Sequence, residues 1–213
     1  MPILVKEATD ADIPRACEVE TAAYANNAAS PFLFPGPFPP DSRQQRINRL
    51  IQDYQNDPTV KWMKVVDEEL GEAIAFAKWH IYDTSEKASK AERPLIFGEG
   101  SNKEACLAFF GGIAKKKAAI MGDTPHIYLH LLHTDPKFQG RGAGSALIRW
   151  GFRRADELGL PIYLESTPDG HKFYEKQGFE DIEVFALDLS KYGGGNEPHI
   201  APLMLRGVSK FSE

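Results

Sequence analysis

The chain lacks several features that would fix its class at once. Its two cysteines, Cys17 and Cys106, are far apart and match no metal-binding spacing, so we expect buried, reduced thiols. No apolar run approaches the roughly 18 residues that span a bilayer, and no signal-peptide core is present, so we expect a cytoplasmic protein without a membrane partner. The net charge of −5 gives no basic excess, which argues against a nucleic-acid partner bound by bulk electrostatics.

The order of the predicted elements favours one α/β domain. Its 213 residues suit a single domain over 1–213, and we expect a helical insertion at about 83–122. An early hairpin of strands at 61–67 and 73–82 is followed by alternating strands and helices and a strand near 199–206. This order predicts a mixed, mostly antiparallel sheet of about seven strands with helices on both faces.

Three segments carry local predictions. Five prolines in residues 31–40 predict neither helix nor central strand there. The charged residues 83–93 are typical of a surface loop. Between Asn102 and Met121 the pattern is helical, and the Gly111-Gly112 pair predicts a bent helix or two short ones.

A glycine-rich turn follows the predicted strand at 126–134 and opens an amphipathic helix at 143–158. Without Cβ atoms, glycines let backbone N–H groups converge on an anion, and the N-terminus of the helix adds unsatisfied donors and a positive dipole end. The sequence therefore predicts a phosphate-binding turn made of Gln139, Gly140, Arg141, Gly142, Ala143, Gly144 and Ser145.

Two other phosphate-binding motifs fit this turn less well. A dinucleotide fingerprint would need glycine or alanine where Ser145 stands, and residues 135–138 separate the turn from its strand. Too few residues also remain for the second half of a doubly wound sheet. A P-loop is excluded because no Lys-Ser/Thr pair follows the glycines.

The pattern Gln139-x-x-Gly142-x-Gly144 follows a predicted strand and precedes an amphipathic helix. In this context it resembles the pyrophosphate-binding loop of the GNAT superfamily of acetyl-CoA-dependent N-acetyltransferases. The resemblance continues in residues 173–179, Phe-Tyr-Glu-Lys-Gln-Gly-Phe, and is specific over about 126–188. It implies a sheet splayed open between the fourth and fifth strands, with acetyl-CoA in the split. Its pantetheine would pair with the backbone of Leu132, His133 and Thr134, and its pyrophosphate would lie on Gly140 to Ser145.

The resemblance also implies direct transfer of an acetyl group to an amine. We expect the primary amine of a small molecule, with two alternatives left open: a lysine or N-terminal protein acetyltransferase, and a non-catalytic sensor of acyl-CoA. Phe32, Phe34 and Phe38 either border the acceptor pocket or form a rigid surface loop. We expect a monomer or a homodimer.

Tyr174 matches the family's tyrosine that protonates the departing thiolate. A phenol with a pKa near 10 is protonated at neutral pH, as this role requires. A structural alternative is a tyrosine packed at the end of its helix with its hydroxyl at the rim of the core.

The sequence offers two candidates for the base that deprotonates the amine. Strand alternation places His126, Tyr128, His130 and Leu132 on one face and Leu129, Leu131 and His133 on the other. The strand resembles that of arylalkylamine N-acetyltransferases, in which histidines matching Tyr128 and His130 are implicated in deprotonation. Only His130 is retained, so it is our candidate base, with Glu165 as a second candidate and a packed sheet histidine as the structural alternative.

We expect no metal. In an extended strand His126 and His130 would be about 13 Å apart, and His133 would face away from both.

Overall fold

The computed structural model describes residues 2–92, 94–194 and 196–208. Its strands form one sheet in the order β1-β2-β3-β4-β5-β7-β6. They are β1 (Ile3–Glu7), β2 (Val60–Asp67), β3 (Glu72–Tyr82), β4 (His126–Thr134), β5 (Ile162–Glu165), β6 (Glu180–Leu187) and β7 (His199–Arg206). Only the β4–β5 pairing is parallel among these neighbours. The predicted mixed, seven-stranded α/β fold is confirmed.

Helices pack on both faces of this sheet. They are α1 (Ile13–Ala23), α2 (Ser30–Leu33), α3 (Ser42–Asn56), α4 (Ser85–Ser89), α5 (Lys103–Met121), α6 (Ala143–Leu158) and α7 (Pro168–Lys176). Along β3, Phe76 packs in a cluster with α1 and α3, whereas Ala77 and Trp79 pack with α6. On the face of α1 and α3, a third cluster joins α2 and α5 to β6 and β7.

Helix α6 begins and ends where the sequence predicts. Gly142 and Gly159 flank it with φ of 83° and 64°, values that L side chains rarely adopt. Between them, a Cβ on Gly151 would lie 2.3 Å from the Trp79 ring. Gly151 therefore lets the helix approach the sheet closely, and this contact fixes α6 and the turn before it.

Strands β4 and β5 separate after a short parallel ladder. The ladder has three residue pairs and ends at Leu129 and Leu164. Beyond it, β4 continues beside β3 as far as Thr134, while β5 stays beside β7. The sheet is therefore splayed at the predicted place, next to the second half of β4.

Residues 103–121 form one helix, α5, which runs without interruption through Gly111 and Gly112, so the alternative of two short helices was wrong. A bend at the glycine pair stays a prediction. A Cβ on Gly112 would lie 2.3 Å from the ring of Phe185 on β6. The helix therefore uses this glycine for close packing on the sheet, and tertiary contacts outweigh the low helix propensity of glycine.

Two predicted loops contain short helices. In α2, Pro31 occupies the first turn, where a missing N–H costs no hydrogen bond, so the exclusion of helix from 31–40 was wrong for residues 31–33. In the segment 83–93, α4 forms because the Thr84 side chain accepts a hydrogen bond from the Lys87 amide; Arg93 lies outside the described residues. Helices α4 and α5 both lie between β3 and β4, and their status as an insertion stays a prediction.

Cys17 and Cys106 are buried free thiols, as predicted. Burial raises the pKa of Cys106 to about 11. Within the described ranges, no helix is both long and apolar enough to cross a membrane.

Candidate active site

The strand β4 contains a bulge at His130. Lys78 of β3 lies opposite Leu131 and Trp79 lies opposite Leu129, so His130 is the extra residue between them. After the bulge the alternation shifts: Leu132 packs with the α6 cluster and His133 turns to the face of α1. Leu131 packs with the cluster of α1 and α3, opposite to Leu129. The predicted sidedness of Leu131, Leu132 and His133 was therefore wrong, because strict alternation assumes an unbroken ladder.

His130 belongs to a pair of imidazoles. Its Nδ1 lies 3.3 Å from Nε2 of His80 on β3. The other nitrogen of His80, Nδ1, lies 3.3 Å from Oγ1 of Thr59 and 3.6 Å from Oδ2 of Asp57. The nearby imidazole of His80 and hydrogen bonds from Thr59 hold the pKa of the Asp57 carboxyl well below its usual range. The candidate base is therefore connected to a carboxylate through a buried histidine.

Tyr128 connects His130 to Glu165. Its ring stacks on that of His130 with centroids 5.6 Å apart, and its hydroxyl donates a 2.7 Å hydrogen bond to Oε2 of Glu165. From α5, the ammonium of Lys117 lies 5.0 Å from the centroid of the Tyr128 ring. Both candidate bases thus meet at one tyrosine, where β4 and β5 begin to separate.

Tyr174 lies on α7 between two phenylalanine rings. The centroids of Phe173 and Phe179 are 5.2 and 5.8 Å from that of Tyr174. Burial raises the pKa of Tyr174, and a smaller contribution comes from the charge of Tyr24 at the end of α1. Tyr174 therefore stays protonated at neutral pH, as a proton donor must.

Tyr24, at the end of α1, lies near the second half of β4, beside the split. Its ring meets that of His133 edge-on, with centroids 5.0 Å apart. Desolvation raises the pKa of Tyr24 to about 12, and the Glu20 carboxylate adds to the shift. Burial lowers the pKa of His133, so this imidazole is neutral at neutral pH.

The glycine-rich turn is anchored by Asp135. This carboxylate accepts hydrogen bonds from the guanidinium of Arg15, at 2.8 Å, and from the amide of Lys137, at 3.1 Å. The chain then passes Gly140 and Gly142 with φ of 76° and 83°, and Cβ atoms at both positions would meet nothing within 4 Å. The turn therefore presents its backbone to open space directly before the N-terminus of α6.

The first turn of α6 lies against the split. A Cβ on Gly144 would lie 3.3 Å from Phe173 and 3.7 Å from Leu132. The Ser145 hydroxyl accepts a hydrogen bond from Gln177 at the end of α7. Ala143 is buried, whereas Gln139 and Arg141 are exposed. The guanidinium of Arg141 lies over the Phe138 ring at 5.0 Å, and Thr134 ends β4 opposite Ala75.

The structure thus brings together most of the predicted site residues. His130, Tyr128 and Glu165 form one group, and Tyr174 lies on α7. The glycine-rich turn, predicted to bind phosphate, follows β4. Sequence reasoning missed His80, Asp57 and Tyr24. The alternation Lys78-x-His80-x-Tyr82 in a strand was a signal for a polar buried face, but the register of β3 against β4 was needed to place His80 beside His130.

The proline-rich segment packs on α5 and on the loop before it. Phe34 lies 6.3 Å from Phe110, and a Cβ on Gly100 would lie 2.7 Å from Phe38. Both phenylalanines are also partly exposed, by 38% and 51%. The segment is therefore held in place while still presenting aromatic surface.

Comparison with known proteins identifies the family. The model of the acetyltransferase (GNAT) family matches residues 29–179. That range is more than half of the chain, and the protein belongs to this family.

Individual relatives are more distant. The chain is 50% identical over 47 residues, 22% of its length, to the probable acyltransferase SID5 of Ajellomyces capsulatus, and the matched stretch spans 35% of that relative. A mosquito arylalkylamine N-acetyltransferase like 5b has a TM-score of 0.63 and 16% identity over 96% of this chain and 99% of that one. A phosphinothricin acetyltransferase of Sinorhizobium meliloti, solved in complex with AcCoA, has a TM-score of 0.60 and 15% identity over 100% and 91%. At these identities the structures show the shared fold.

Proposed function

We propose that this protein transfers the acetyl group of acetyl-CoA directly to a primary amine of a small molecule. One observation carries the proposal: the sheet opens between an anion-binding helix terminus and an imidazole backed by a carboxylate. The first element suits the coenzyme, and the second suits the deprotonation of an amine.

The described residues fit acetyl-CoA. The open space over Gly140 and Gly142 leaves room for a pyrophosphate against the N–H groups of the first turn of α6. The second half of β4 offers a backbone edge to an extended pantetheine arm, near Leu132, His133 and Thr134. Acetyl-CoA supplies an activated acyl group. The neighbour solved with AcCoA supports this choice of coenzyme.

The residues around the split take distinct roles. We assign removal of the amine proton to His130, with Glu165 as the alternative that Tyr128 connects to the same place. Backbone N–H groups near Leu132 are assigned to stabilise negative charge on the reacting carbonyl oxygen. Tyr174 is assigned to donate the proton that the thiolate takes up.

The acceptor side favours an apolar or aromatic amine. Rings of Tyr24 and His130 border the opening, the buried Tyr128 packs behind His130, and the partly exposed Phe34 lies on the same face of the sheet. Such a lining binds an apolar body and leaves few polar groups for a peptide backbone. The fold shared with an arylalkylamine N-acetyltransferase supports this assignment. We further propose that the protein acts in the cytoplasm without a metal, as a monomer or homodimer.

The test is release of free coenzyme A. Purified protein is incubated with acetyl-CoA and a panel of aliphatic and aromatic amines, lysine-containing peptides and N-terminal peptides, and a thiol reagent records the product. Turnover with small amines supports the proposal, and turnover with peptides alone would replace it with a protein acetyltransferase. Tight binding of acetyl-CoA in calorimetry without thiol release from any acceptor would identify a sensor.

A further inference from the structure

The buried His80 and the partly exposed Asp57 have no role in the family resemblance, yet His80 contacts the candidate base directly. His80 is 3% exposed and lies on β3, and Asp57 follows α3. Asp57 contacts His80, and His80 contacts His130, so the three side chains form a relay whose protons can be assigned one contact at a time.

The hydrogen bonds around Thr59 determine which nitrogen of His80 carries its proton. The Thr59 hydroxyl has one proton, and it donates that proton to Oδ1 of Asp57 at 2.7 Å. The contact of 3.3 Å between Oγ1 of Thr59 and Nδ1 of His80 then requires His80 to be the donor. Oδ2 of Asp57, 3.6 Å from the same nitrogen, favours a proton there as well.

The tautomer of His80 determines the tautomer of His130. A neutral His80 with its proton on Nδ1 has a lone pair on Nε2. That lone pair faces Nδ1 of His130 at 3.3 Å, so Nδ1 of His130 must carry the proton of this contact. The lone pair of His130 is then on Nε2, the nitrogen on the other side of its ring.

We propose that His80, oriented by Asp57 and Thr59, is a positioning residue that holds His130 in the tautomer whose Nε2 accepts a proton. This proposal rests on the role of His130 as the base in the proposed function. In the step itself, Nε2 of His130 takes a proton from the substrate ammonium, the amine nitrogen keeps the electron pair, and His130 becomes an imidazolium. Its Nδ1–H bond to His80 and the Asp57 carboxylate stabilise that charge.

The same arrangement predicts how acid stops the reaction. If His80 takes a second proton, Nε2 becomes a donor, and Nδ1 of His130 must accept from it. His130 then carries its proton on Nε2 and no longer acts as a base. The acidic limb of the pH profile therefore belongs to the coupled pair of histidines.

Other charged groups also face the pair. Lys117 of α5 lies 5.0 Å and 5.2 Å from the rings of Tyr128 and Tyr82, which flank His80, and it opposes a positive charge there. Glu165 acts through the Tyr128 hydroxyl. On the solvent side a cavity of about 270 Å³ borders His80 and Asp57, and its remaining charged lining is Lys87, Lys90 and Glu92.

The first test is spectroscopic and needs no acceptor. In ¹⁵N-labelled wild-type protein near pH 8, we expect His130 and His80 each to show a protonated Nδ1 and an unprotonated Nε2. His80→Gln should preserve the His130 signal because its amide oxygen accepts from Nδ1, whereas His80→Phe should lose it. A wild-type His130 protonated on Nε2 would overturn the proposal, and this result is independent of any enzymatic activity or variant folding.

The second test uses the pH profile of turnover. We expect Asp57→Asn to move the acidic limb to lower pH by about one unit, because loss of the carboxylate disfavours the charged pair. Asp53→Asn is the matched control, since Asp53 lies near the end of the same helix and pairs with Lys78 instead; its limb should not move. His80→Phe should lower kcat about 10²-fold, and His80→Gln should restore most of it.

The positioning role would be contradicted if the acidic limb lay at the same pH in wild type and Asp57→Asn, or if kcat were equal in the two His80 variants. If wild type turns over no amine while the spectra show the expected tautomer, the proposed function fails and the positioning of His130 stands.

Discussion

Replacing Gly142 by glutamate is the sharpest test of the coenzyme site. The Cβ direction of Gly142 points into open space before α6, and a new carboxylate there would lie where we place the pyrophosphate. Two unit charges about 4 Å apart near a protein surface repel by about 4 kcal/mol, which corresponds to a loss of about 10³-fold in affinity. We therefore expect no measurable binding of acetyl-CoA by titration calorimetry at concentrations that saturate the wild type.

The backbone conformation requires a control, because Gly142 has a φ of 83° and any side chain there is strained by about 1–2 kcal/mol. For a chain of this size each kcal/mol lowers the Tm by about 2–4 °C. Gly159→Glu is matched: Gly159 flanks the other end of the same helix, has a φ of 64° and also faces open space. The Tm of both variants should fall by a few degrees, and only Gly142→Glu should lose its affinity for acetyl-CoA. Similar affinities in the two variants would refute the assignment of the anion site.

Three further predictions concern catalysis, packing and pH. Tyr174→Phe should lower kcat by about 10²-fold with little change in coenzyme affinity, and turnover within about threefold of wild type would leave Tyr174 a packing role only. Gly111→Ala, whose Cβ would lie 3.5 Å from Leu95, should raise the free energy of unfolding in urea by about 1 kcal/mol. Gly112→Ala should lower it by about 1–3 kcal/mol because of Phe185, and equal stabilities would contradict the close packing of α5. Burial lowers the pKa of His126 from 6.5 to about 4, so the unfolded chain binds more protons between these values and stability falls as the pH drops through them. The loss is on the order of 3 kcal/mol; His126→Gln should flatten this part of the profile, and an unchanged slope in the variant would assign it to other groups.

The features that the sequence predicted well are local. The conformation of the glycine-rich turn depends on glycine spacing within a few residues and on the periodicity of the helix that follows; its binding of phosphate stays a prediction. Gly142 and Gly159 mark the ends of that helix in the sequence as clearly as in the structure. The mixed sheet of about seven strands and its split followed from the family resemblance and from the alternation of strands and helices.

The features that the sequence missed depend on distant partners. Gly112 looks like a helix breaker until Phe185, on β6, is packed against it. His80 becomes part of the site only through the register of β3 against β4, which no local pattern encodes. The reversal of Leu131, Leu132 and His133 has the same origin, since the bulge is a property of two paired strands.

The bulge at His130 also bears on how such a site can arise or disappear. Before it, Ile127 and Leu129 face α6; after it, Leu131 faces the other helices and Leu132 faces α6 again. If His130 were deleted, the remaining residues would alternate regularly, and each would keep its present side of the sheet. The fold can thus lose the candidate base without exchanging the two faces of β4, so a single-codon insertion or deletion separates a plain structural strand from one that carries an imidazole at the opening.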